Sequence, residues 1–124
     1  GGFFYHGNTD VFGNTIYLRL DPKEEILEEI GKVAEKENIR LAQVTGLGAI
    51  NDFTAGVYNT VTKEYHSIQF QGAYEIVSLT GTVTRKDGDV YLHLHIAAGD
   101  EKGLVHGGHL NRASSVLPPK SRSR

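Results

Sequence analysis

The stretch AYEIVSLTGTVTRKDGDVYLHLHIAA, residues 73–98, constrains the fold more than any other part of the chain. Its first half is a long β-branched run, KDG (86–88) is a hairpin turn, and residues 90–98 return as the partner strand. Side chains two apart on a strand share a face, so Leu92, Leu94 and Ile96 line one side and His93 and His95 the other. The first side is apolar and faces a core. A chain organised around this hairpin is committed to antiparallel sheet.

The elements on either side agree with that commitment. Residues 14–20 (NTIYLRL) alternate, with Ile16, Leu18 and Leu20 opposite Tyr17 and Arg19, as in a half-buried strand. In the DPKEEILEEIGKVAEKEN that follows, Asp21 suits an N-cap, Pro22 the first helical position, and Glu24 the third residue of a capping box. Ile26, Leu27, Ile30, Val33 and Ala34 recur at helical spacing, which predicts one helix over residues 22–37 with glutamates and lysines on its solvent side. Residues 39–46 then read as a strand, GLGAIND as a turn, and 54–59 with 63–70 as a hairpin pair. After GDEKG (99–103) turns the chain again, LVHGGHL (104–110) closes the series. The expected fold class is α+β: one main helix packed on a mostly antiparallel sheet of about six or seven strands.

Composition narrows the chemistry. At 124 residues the chain suits one domain with its own core, and 39% hydrophobic against 23% charged residues is the balance of a globular protein. It has no cysteine, which excludes disulfides, thiolate metal sites and cysteine nucleophiles. With no apolar run long enough to span a bilayer, the reading expects no membrane partner and a cytoplasmic setting. A formal charge of −2 gives the body no excess of cations for gripping phosphates. The basic residues of the tail, Lys120, Arg122 and Arg124, sit among Pro and Ser and read as a solvated end. Residues 1–12 are expected to be a flexible or appended N-terminus, residues 13–112 the domain, and 113–124 a Pro/Ser/Arg-rich tail.

Four of the six histidines, His93, His95, His106 and His109, fall between residues 90 and 110. His93 and His95 point together, roughly 6–7 Å apart at the Cα level, close enough for two imidazoles to converge on one ion. Imidazole is the commonest protein metal ligand, and zinc with three protein ligands keeps a fourth position open. The turn at 99–103 brings the last strand beside this pair. His106 and His109 are three apart, so alternation places them on opposite faces, and one of the two, not both, completes the site; Gly107 and Gly108 between them suit a bulge or a close backbone approach. The plainer reading makes His93 and His95 merely the solvent side of an amphipathic strand. No serine stands in a nucleophile elbow. Gly46 and Gly48 in TGLGAI precede a strand rather than a helix, so they read as a structural turn rather than a phosphate loop. His66 reads as an isolated exposed residue, and Glu75 as a surface group or the partner of a cation such as Arg19.

RLDPKEEILEEI, TGLGAI, GAYEIVSLTGTV, HLHIAAGDEKG and GGHL, in this order and spacing, resemble the plant and prokaryote conserved (PPC) domain. The resemblance covers about residues 13–112. It implies a subunit with one helix on an antiparallel sheet that assembles as a homotrimer, and a DNA-associated role like that of plant relatives that carry an AT-hook, an element this chain lacks. The family's H-x-H and G-G-H pattern falls on His93, His95 and His109, while His106 stands where the family more often has an aromatic residue. A divalent metal, zinc first, is the implied cofactor. Such domains usually continue after GGHL with further apolar strand; here NRASSVLPPKSRSR follows, so the expectation is an open sheet edge, or one covered by a partner or another element.

Three functions follow from these residues. The first is a homotrimeric metal-binding PPC protein with a regulatory, DNA-associated role, its partners being itself and DNA or DNA-associated proteins. The second is a zinc enzyme of hydrolase or lyase type using the open position, with Glu75 or Asp100 as general base. No motif supplies ligand and base together, which favours a binding protein over an enzyme. The third is direct DNA contact by the domain, which needs assembly to gather its cations on one face.

Overall fold

The computed structural model of the chain describes residues 2–5 and 9–115. Seven strands and one helix follow in order: β1 (Gly2–Tyr5), β2 (Thr9–Phe12), β3 (Thr15–Leu18), α1 (Ile26–Lys36), β4 (Ala42–Asn59), β5 (Glu64–Lys86), β6 (Asp89–Gly99) and β7 (Val105–Ser114). All ladders among them are antiparallel. Strands β1–β3 form a small sheet, and β4–β7 close into a barrel. Residues 2–5 and 9–12, which the sequence sets apart as an N-terminal stretch, pair as β1 and β2. His6 and the tail from residue 116 onward, including Lys120, Arg122 and Arg124, lie outside the described residues.

The helix begins later than the sequence predicts. Lys23 takes a positive φ of 74°, which no helix accommodates, and the Glu24 N–H donates to the Asp21 carbonyl at 3.1 Å. Asp21, Pro22 and Lys23 therefore make a turn. Glu24 does reach back to the Asp21 N–H, but this pair closes the turn instead of capping the helix. The cap is Glu25, whose carboxylate accepts from the Leu27 and Glu28 N–H groups at 3.0 and 2.9 Å. The same carboxylate accepts from the Ala113 N–H at 2.9 Å, so one side chain starts the helix and ties it to β7.

The strands are also longer than expected. GLGAIND does not turn; it runs through β4 with ladder shifts at Gly46/Gly48 and Ile50/Asp52. The runs 63–70 and 73–85 likewise join into β5, with a shift against β6 at Ile76/Ser78. Bulges bend a strand and increase its twist without ending it. That curvature lets four strands close on themselves.

The chain after GGHL does not leave the sheet: β7 continues to Ser114, pairing with β6 over residues 105–109 and with β4 from Gly56↔His109 to Asp52↔Ser114, so that it changes neighbour at His109 and closes the barrel. The core is the barrel interior: Phe53, Ala55, Leu79, Leu94, Ile96, Ala98, Leu110 and Ala113 are buried there, with Ile26 of α1 packed against them. Phe53 is fully buried and stacks on Phe70 at 4.8 Å.

Candidate metal centre

Strand parity builds the site. On β6, Leu94, Ile96 and Ala98 point into the core and His93 and His95 outward. On β7 the pairing His95↔His109, Ile96↔Gly108, Ala97↔Gly107, Ala98↔His106 runs without a shift. His109 therefore shares the outer face with His93 and His95, while His106 shares the inner side with Ala98. The two glycines do not disturb this alternation. Instead they allow β7 to approach both neighbours: a Cβ on Gly107 would lie 2.0 Å from the Ile96 carbonyl oxygen, and one on Gly108 would lie 2.4 Å from that of Gly56.

The three outer imidazoles converge. Their ring centroids stand 5.3 Å (His93–His95), 5.2 Å (His93–His109) and 5.8 Å (His95–His109) apart. One ligand nitrogen from each can be chosen so that all three lie within 4.8 Å of one another. Tetrahedral zinc with Zn–N bonds of about 2.0–2.1 Å needs ligand nitrogens roughly 3.4 Å apart. His93 and His95 are exposed and His109 half-buried, so modest ring rotations close that gap. Burial, followed by the nearby His93 and His95, holds the His109 imidazole below its ordinary pKa and so favours its neutral form. Neutral nitrogen is what a metal requires. The donor set fits a divalent cation that prefers imidazole.

His106 lies elsewhere. Its Nε2 meets the Asp100 carboxylate at 3.2 Å, and its ring packs against Phe70 at 5.2 Å and Tyr74 at 6.1 Å. It fills an aromatic position. Asp100 also accepts from the Lys102 and Leu104 N–H groups at 2.9 Å each, which shapes the turn between β6 and β7. The His106 hydrogen bond first, with these N–H groups behind it, holds the Asp100 carboxyl below its usual range against the opposing effect of burial. Glu75 is exposed and stands opposite Gly99, four residues along β6 from His95. His66 is exposed and contacts Glu64 at 3.2 Å. No sequence pattern singles out Tyr65, whose ring stands nearly perpendicular to that of His109 at 6.3 Å. It is 44 residues away along the chain from His109, and only the barrel brings the two together.

The Plants and Prokaryotes Conserved (PCC) domain matches residues 8–119. The chain belongs to this family. Among solved PPC structures, one from Pyrococcus horikoshii is 36% identical, with 78% of this chain and 68% of that one covered and a TM-score of 0.73. A proposed DNA-binding protein from Bacteroides thetaiotaomicron is 30% identical, covers 87% of this chain and 76% of its own, and gives a TM-score of 0.83. A metal-containing protein from Archaeoglobus fulgidus is 34% identical over 78% of this chain and 69% of that one, with a TM-score of 0.73. No curated protein matches. The PPC fold expected from the sequence is the one observed, and among the described residues no helix is long and apolar enough to cross a membrane.

Proposed function

We propose that this PPC protein binds a divalent metal, zinc first, through His93, His95 and His109, and acts as a homotrimer in a regulatory, DNA-associated role. The observation that carries the reading is the convergence of three imidazoles from two adjacent strands within 4.8 Å. The metal-containing relative from Archaeoglobus fulgidus supports it. Metal analysis of protein purified without a histidine tag tests it, with an expected content near one ion per chain. His93→Ala abolishes that binding and His106→Ala spares most of it. Protein that stays metal-free on titration, or the reverse order of the two variants, rejects the site.

Assembly is supported by exposed apolar side chains of the β4–β5 hairpin. Leu47 and Val57 of β4, Val61 of the connecting turn, and Ile68 and Val77 of β5 are 85, 62, 86, 60 and 58% exposed. Apolar groups in such number on one hairpin are costly to leave in water and suit a self-association surface. Light scattering should give three times the 13.6 kDa of one chain. The proposed DNA association is supported by the Bacteroides thetaiotaomicron relative. With a net charge of −2, it depends on the trimer collecting cations on one face. A mobility shift at low salt that vanishes steeply as salt rises is the expected signature; no shift at low salt leaves DNA association to partner proteins.

Exposure of His93 and His95 favours one alternative, a zinc enzyme of hydrolase or lyase type. A zinc held by three histidines lowers the pKa of a bound water to about 7. The carboxylates argue against it. Asp100 is engaged by His106 and the turn, and Glu75 is displaced from His95 by four residues of strand, roughly 13 Å. Neither stands where a general base is needed, so binding is preferred to catalysis.

A further inference from the structure

We propose that Tyr65 is a positioning residue of the three-histidine centre: it fixes the His109 imidazole and thereby sets the affinity and geometry of the site. The inference rests on the metal-binding reading above and adds a group that neither the spacing of the histidines nor the family pattern points to.

Histidines that bind metals are normally oriented by a hydrogen bond from the ring nitrogen that faces away from the ion. Among the described residues, the imidazole rings of His93, His95 and His109 have no hydrogen bond to another side chain or to the backbone; the histidine rings that do are His66 and His106. Something else must hold the ligand rings. His93 and His95 are exposed on one strand and adjust freely. His109 is the half-buried member on the other strand, so its ring orientation decides where the three nitrogens meet.

Tyr65 supplies that orientation. Its ring stands at 83° to the His109 ring, an edge-to-face contact that blocks rotation of the imidazole toward β5. Tyr65 is itself held at two points. Its hydroxyl donates to Asn111 Oδ1 at 3.0 Å, two residues beyond His109 on β7. Its ring lies across Gly56 of β4, where an added Cβ would fall 2.2 Å from the hydroxyl oxygen and 2.3 Å from the carbon bearing it. Gly56 is the ladder partner of His109. One aromatic side chain from β5 thus spans β4 and meets β7 at the ligand and two residues beyond it. The ladder shift that leaves Asn111 between Leu110↔Ala55 and Arg112↔Thr54 places the Asn111 amide at the hydroxyl.

Titration of the metal-free protein with Co²⁺, read by the visible absorption of bound cobalt, tests the proposal, with thermal unfolding of the same metal-free samples as the second measurement. Tyr65→Ala should weaken cobalt binding about tenfold or more, the usual effect of losing an orienting group, and should alter the cobalt spectrum. Tyr65→Phe keeps the ring over Gly56 and should recover most of the affinity. Should Tyr65→Ala fail to fold, Tyr65→Leu, which fills the space over Gly56 without an aromatic ring, should still weaken cobalt binding and change the spectrum. A Tyr65→Ala protein that unfolds at lower temperature yet binds cobalt with wild-type affinity and spectrum reduces Tyr65 to a structural role and overturns the proposal. Wild-type protein that takes up no cobalt removes the metal reading itself, and this proposal with it.

Discussion

Gly107→Ala is the substitution that most sharply separates packing from chemistry in this barrel. Gly107 sits opposite Ala97 in the β6–β7 ladder, two residues before the ligand His109 and two rungs from the His95↔His109 pair. An alanine Cβ there would lie 2.0 Å from the Ile96 carbonyl oxygen and 2.9 Å from both the Ile96 carbonyl carbon and the Ala97 Cα. Close carbon–oxygen contacts in sheets lie at about 3.3 Å, so the strands must part locally by roughly 1 Å. Every atom in the way is backbone, and none can rotate aside. Overpacking of this kind costs about 1–3 kcal/mol. For a domain of this size that lowers Tm by roughly 4–12 °C. Because His109 and His95 are directly paired two rungs away, the same displacement misplaces the third ligand by more than the few tenths of an ångström that a metal site tolerates. Affinity for zinc should therefore fall by about tenfold or more alongside the loss of stability. Differential scanning calorimetry of the metal-free protein and a competitive zinc titration measure the two effects. A variant with unchanged Tm and zinc affinity within about twofold of wild type would refute the claim that a glycine is needed here for close approach.

Three further outcomes are expected. Phe53→Ala removes the fully buried ring that meets Phe70 and Tyr74 and should cost about 3–5 kcal/mol in denaturant unfolding; a loss under ~1.5 kcal/mol would mean that the barrel interior collapses onto the gap. Asp100 has a carboxyl held below its ordinary value, so its contribution is present above the unfolded pKa of about 3.9 and is lost as pH falls through the lower folded value. Asp100→Asn should therefore lower stability at neutral pH and flatten the acid limb of the stability profile, whereas an unchanged acid limb would show that His106 and the turn amides do not engage the carboxylate. Gly31→Ala fills a helical site whose nearest neighbour, Leu92 Cδ1, is 4.0 Å away, and should stabilise the protein by about 0.5–1 kcal/mol; destabilisation would indicate that α1 sits closer to β6 than the structure places it.

Local pattern reached far into this protein. The hairpin at residues 73–98, the core-facing side of β6, the separation of His106 from His109 and the class of fold were all legible, because a period of two is a property of the strand itself and survives into the barrel. The helix start was misread because Asp21, Pro22 and Glu24 carry the marks of a capping box. The chain turns at Lys23 instead, and the cap falls on Glu25, whose carboxylate also holds the Ala113 N–H, 88 residues further along the chain. GLGAIND was misread as a turn for a related reason. Glycine allows a turn and a bulge equally, and only the partner strand β5 selects between them.

The sequence by itself determined which histidines could face the same way. Two that lie two apart on one strand must, and a third on an adjacent antiparallel strand does when the register sets it opposite one of them. Tertiary structure alone decided that the register sets His109 opposite His95, that β7 also reaches β4 and closes the barrel, and that Tyr65 stands against His109. Those outcomes depend on register and closure between segments far apart in the chain. Such relations come from the packing of all four barrel strands around one core, and no single stretch of residues encodes them.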